Sequence, residues 1–201
     1  MKAPVVSEVL QAAKLCLGRD ATAAHRIPMG RSHFVFSVAL TSGENVIARI
    51  ARPARAECFA AFAYWRSVLA RVGVPVPRVL SMKLSPTALP WPVMFLENVP
   101  GDDLCNVYTG LSANEKRRVT DDLLRIQRCM RSLPPGPGYG GIARYGDLRC
   151  HPHWSDVLWE YFTGATEHLA SDQRQAPGVG VLRRALRELR SSSMPSSRTP
   201  S

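Results

Sequence analysis

Apolar positions recur along this chain with two different periods, and the change from one to the other marks out its elements. In "SEVLQAAKLCLG" the spacing is helical, with Ser7 as a cap, Glu8 in the first turn and Gly18 as the stop. "SHFVFSVAL" and "NVIARIA" are instead runs of β-branched and aromatic residues about Thr41-Ser42-Gly43-Glu44-Asn45, which predicts a β-hairpin. From Arg55 to Val72, Phe59, Phe62, Trp65, Val68, Leu69 and Val72 fall three and four residues apart, and Gly73 ends an amphipathic helix. Pro75 and Pro77 exclude a helix interior, Val79-Leu80 begin a strand, and "WPVMFLENV" is another that stops at Pro100-Gly101. The predicted order is helix, two strands, helix, two strands.

Beyond that point the pattern is helical. Ser112 and Glu115 form a capping box for a helix with Val119, Leu123, Ile126 and Met130 on one face, ending before Pro134-Pro135-Gly136. "VGVLRRALRELR" reads as another with Val181, Leu182, Ala185, Leu186 and Leu189 inward. "SSSMPSSRTPS" is low-complexity and predicts a disordered tail over 191–201. The fold class is α+β.

Composition narrows this only a little. With 201 residues, 45% of them apolar, the chain suits one globular domain, or a small lobe with part of a second. Five widely spaced cysteines without a CxxC pair predict reduced thiols, not a disulfide framework or zinc finger. No apolar run reaches bilayer length and Met1-Lys2-Ala3-Pro4 does not lead into a signal-peptide core, so the expected location is cytoplasmic, without a membrane. The net charge of +10 concentrates late, at Arg183, Arg184, Arg187 and Arg190, with no aromatic residues interleaved in sequence, which argues against a nucleic-acid partner.

The pieces "GRSHFVFSVAL", "VIARIARP", "GVPVPRVL" and "VMFLENVPGDDL", in that order, resemble the small lobe, hinge and start of the large lobe of the aminoglycoside phosphotransferase and choline kinase superfamily. The resemblance implies a protein-kinase-like fold: a small lobe over 1–99, an antiparallel sheet plus one helix with an N-terminal helix before it, and an incomplete helical large lobe over 100–190. It also implies ATP as cofactor, Mg²⁺ and a small-molecule acceptor. Gly30 and Ser32 then occupy a phosphate-covering turn, which on their own residues reads equally as an ordinary hairpin turn. Arg49 stands where the family carries the cation for the α and β phosphates, and Glu57 is its matching carboxylate. Taken alone, the two are a partly exposed structural ion pair. Leu96 would be the gate behind the adenine, with the Glu97 carbonyl and the Val99 amide at the adenine edge.

The family's transfer chemistry needs an Asp for the acceptor hydroxyl, an Asn five residues later and a second Asp for metal. "YGDLRCHP" resembles that loop, yet Tyr145 stands in place of the His and Pro152 in place of the Asn. Position along the chain also makes Asp147 a connection residue, and Asp172 has no apolar strand before it. Cys150, His151 and His153 supply too few metal ligands and read as a polar loop. His33 reads as a surface or packing residue, not a base. No catalytic or metal residue is therefore assigned. The expectation is a fragment or degenerate member of this phosphotransferase family, inactive as written and ending before the catalytic loop. The alternative is a non-catalytic nucleotide- or partner-binding protein, its partner covering the incomplete large lobe.

Overall fold

In the computed structural model, residues 3–28, 33–84, 89–140, 150–167 and 177–192 are described. They form two compact units, Met1–Pro134 and Pro135–Ser201. The first contains α1 (Val6–Leu17), β1 (Ala21–Ile27), β2 (His33–Leu40), β3 (Asn45–Ala51), α2 (Glu57–Arg71), β4 (Val79–Lys83), β5 (Val93–Glu97), a single turn α3 (Leu104–Val107) and α4 (Ala113–Arg131). The second contains α5 (Trp154–Glu167) and α6 (Pro177–Ser192). Among the described residues no helix is long and apolar enough to cross a membrane.

The strands make one antiparallel sheet in the order β1-β2-β3-β5-β4. Because side chains alternate across a strand, β3 sends Val46, Ala48 and Ile50 to one face and Ile47, Arg49 and Ala51 to the other. On the first face they join Phe36, Val38, Leu40, Val93 and Phe95 in a core closed by Val9, Ala12 and Ala13 of α1. The second face gathers Ala51, Met94 and Leu96 with Phe59 of α2, and Ile47, Phe62, Val79 and Met82 pack around them. A fully buried Val or Phe of this kind contributes about 1.5–3 kcal/mol. Two hydrophobic layers thus hold β3 and β5 as interior strands of the sheet.

Local chemistry explains most boundaries. Gly43 turns the β2–β3 hairpin at φ 84°, its N–H donating to the Leu40 carbonyl. The capping box on α4 forms as expected: Ser112 accepts from the Glu115 N–H while the Glu115 carboxylate accepts from the Ser112 N–H at 2.8 Å.

Other expectations are corrected. Ser7 does not cap α1. Val5 does, its N–H donating to the Glu8 carboxylate at 2.7 Å, so that Ser7 lies inside the first turn. A third strand, β1, precedes the hairpin and pairs with β2 from Ala21 to Ile27. Its residues, "ATAAHRI", carry little β propensity, and the strand forms because it completes the sheet edge over α1. In α6 only Leu186 of the five predicted inward residues is buried. Val181, Leu182 and Leu189 are exposed, while the guanidiniums of Arg183 and Arg187 lie over the Phe162 and Trp159 rings of α5. Arginines without aromatic neighbours in sequence therefore have them in space. The tail expected over 191–201 falls almost wholly outside the described residues.

Candidate functional site

Arg49 is the most informative residue of the expected set. The ladder places it opposite Val35 of β2 and Met94 of β5, so its side chain leaves the face that α2 covers. The guanidinium carbon stands 5.7 Å from the centre of the Phe62 ring, and Nη2 lies 3.4 Å from His33 Nδ1. Half-burial disfavours the charged form and pulls the guanidinium pKa down from its ordinary value.

His33 packs its ring against Phe59, the centroids 5.0 Å apart and the planes 30° from parallel. Burial pushes its pKa down first, and the charges of Arg49 and Arg55 push it further. Its Nε2 is buried with no hydrogen-bond partner among the described residues. The sequence reading of His33 as a packing residue captures the Phe59 contact but not the one to Arg49. The signal for that was present: a hairpin turning at Gly43 pairs Val35 with Arg49 and so sets His33 diagonally beside it.

Glu57 is not brought to Arg49. It is the first residue of α2, exposed to solvent, and no ion pair joins the two side chains among the described residues. A carboxylate in the first turn of a helix is already favoured by the helix dipole, which accounts for Glu57 without the arginine.

On the neighbouring strand Leu96 is buried against Ala51, Phe59 and Met94, on the same sheet face as Arg49. Glu97, next in sequence, points its carboxylate to Arg78 at the start of β4. Val99 is 60% exposed, beyond the strand end. Its amide donates no backbone hydrogen bond among the described residues. Gly30 and Ser32 lie outside the described residues, as do Tyr145 and Asp147.

In the second unit the His151 Nε2 sits 2.6 Å from a Glu160 carboxylate oxygen, and His151 pairs through its backbone with Tyr139. Neither there nor elsewhere among the described residues do three His, Cys, Asp or Glu side chains converge as a metal site.

The sequence model of the phosphotransferase enzyme family matches residues 23–198, most of the chain. The chain belongs to that family. A crystal structure of a protein from Thermobifida fusca YX-ER1, assigned as a fructosamine-3-kinase, superposes on this phosphotransferase-family chain with a TM-score of 0.56 at 17% identity. The alignment covers 96% of this chain and 65% of that one. The likeness shows the kinase-like fold, and this family member spans under two thirds of the other protein's length. No curated protein sequence matches it significantly.

Proposed function

We propose that these 201 residues bind ATP through the small lobe of a phosphotransferase-family fold, with Arg49 on the α and β phosphates and the backbone at Glu97 and Val99 against the adenine. Leu96 closes the space behind the ring. One observation carries the reading: Arg49 is half-buried on the sheet face that also holds Leu96, and no carboxylate pairs with it among the described residues. A charge withdrawn from water and left without a counter-charge is stabilised by an incoming anion. Gly30 and Ser32 cover the phosphates in this reading, and Glu57, exposed at the helix terminus, takes no part in it.

The lobe division after Val99, a cytoplasmic setting and a small-molecule acceptor belong to the same proposal. So does the absence of phosphoryl transfer by these residues alone, because Pro152 takes the place of the metal-binding Asn and the acceptor Asp has no equivalent besides Asp147.

Thermal melting with nucleotide tests this. ATP at about a hundred times its dissociation constant stabilises by ~2.7 kcal/mol, and Arg49→Ala removes most of the rise in Tm. No rise for the unaltered chain at millimolar ATP sinks the nucleotide reading, and steady ATP-dependent phosphorylation of an added hydroxyl compound sinks the non-catalytic one.

A second reading, docking of a protein partner, draws on the exposed Leu123, Leu124 and Met130 of α4. It predicts concentration-dependent association that Leu123→Glu abolishes, as read by light scattering.

A further inference from the structure

We infer that His33 is the positioning residue for Arg49: its Nδ1 accepts a hydrogen bond from the guanidinium and holds it over Phe62 in the orientation that meets the phosphates, a role resting on the nucleotide reading above.

Arginine has donors and no acceptor, so the His33 nitrogen facing Arg49 Nη2 at 3.4 Å must be the unprotonated one. The ring hydrogen then sits on Nε2, which is buried and without a partner among the described residues. The imidazole has little freedom to turn. Its backbone pairs with Ala51 across the hairpin, and its ring lies against Phe59 of α2. The charged groups that bear on it are Arg49 on β3 and Arg55 in the turn Pro53–Arg55, while α2 faces it with an uncharged ring. Burial first, and then these two cations, disfavour the charged form of the imidazole.

A neutral acceptor has a consequence that a carboxylate would not. A paired Glu would cancel the arginine charge and compete with a phosphate for its donors. His33 orders the guanidinium through one N–H and leaves the full positive charge and the remaining donors to the ligand.

Three acceptor-altering variants test this: His33→Phe and His33→Leu, which lack the acceptor, and His33→Asn, whose side-chain oxygen can stand near the Nδ1 position. Order of the Arg49 Nε–H is read by ¹⁵N relaxation, with the resonance assigned by Arg49→Lys, and ATP affinity is read by calorimetry. The expected result is a mobile Arg49 and about 3- to 10-fold weaker ATP binding in His33→Phe and His33→Leu, with both restored to within about twofold in His33→Asn. An Arg49 as ordered without the acceptor as with it overturns the inference, as does equal behaviour of the Phe and Asn variants. If the unaltered chain binds no ATP while Arg49 order still follows the acceptor, the nucleotide reading fails and the positioning role stands.

Discussion

Arg78 and Glu97 hold one another through both backbone and side chain. The Glu97 carboxylate accepts from the Arg78 N–H at 2.9 Å and from its Nε, and the Glu97 N–H donates to the Arg78 carbonyl at 3.0 Å. One residue earlier, Arg66 of α2 donates to the Pro77 carbonyl at 3.0 Å. The end of β5 is thereby tied to β4 and α2 just where the chain leaves the sheet for the proposed adenine contacts.

The Arg78 contact holds the Glu97 pKa below that of an ordinary carboxylate. The unfolded chain therefore takes up this proton first on acidification. The stabilisation is complete above the unfolded value of about 4.3 and is lost as pH falls through the lower folded value. Melting curves between pH 7 and pH 3 should show a steeper acid loss of Tm for the unaltered chain than for Glu97→Gln. Parallel curves would mean the contact is not maintained in solution.

Ser112 and Glu115 start α4 by capping each other. Ser112→Ala should cost about 1 kcal/mol in urea unfolding, and Ser112→Asn much less, because a side-chain oxygen still reaches the exposed N–H groups. Equal losses in the two variants would assign the effect to something other than capping.

Phe59, 1% exposed, fills the layer between α2 and the sheet and also backs the His33 ring. Truncation to Ala should cost about 3–5 kcal/mol, measurable by chemical denaturation. At temperatures where the variant remains folded, the His33 imidazole should titrate closer to an ordinary histidine, since its burial is the main cause of the downward shift. A His33 titration unchanged by the substitution would contradict that cause.

Gly138 faces the Cys150–His151 backbone so closely that a Cβ there would lie 2.6 Å from the His151 carbonyl and 2.7 Å from Cys150 Sγ. Gly138→Ala must displace backbone, at a cost of about 1–3 kcal/mol. The expected readout is lost hydrogen-exchange protection at the Tyr139 and His151 amides, which bond each other's carbonyls at 2.8 and 2.7 Å. Protection equal to that of the unaltered chain would show that this bridge adapts.

What could be read from sequence follows where local signals are strong. The hairpin, α2, α4 and β5 are each marked by periodicity that agrees with a turn or cap residue, and consistency between levels makes them legible. β1 has no such agreement. Alanines and a His-Arg pair become a strand only because β2 offers an edge, which is tertiary context overriding propensity. The site is legible to the same degree. Arg49 and Leu96 lie on strands whose register follows from the hairpin and the alternation of apolar residues, and they do share a face. Glu57 shows the limit, because spacing along a chain does not fix where a flexible carboxylate at a helix terminus points. The Arg78–Glu97 contact joins residues 19 apart across a β4–β5 pairing that carries a bulge, and no local pattern announces it.

The sheet order has a consequence for how the molecule assembles. β1, β2 and β3 are successive hairpin neighbours and can pair as soon as Ala51 is available, whereas β3 obtains its other partner only when β5, more than forty residues later, inserts beside it. During synthesis the strand that carries Arg49 is thus the temporary margin of a three-stranded meander, with unsatisfied backbone groups along its length. Arrival of β5 satisfies them and closes both apolar layers together, so this late, non-local step sets the interval in which a nascent chain can pair with the wrong neighbour.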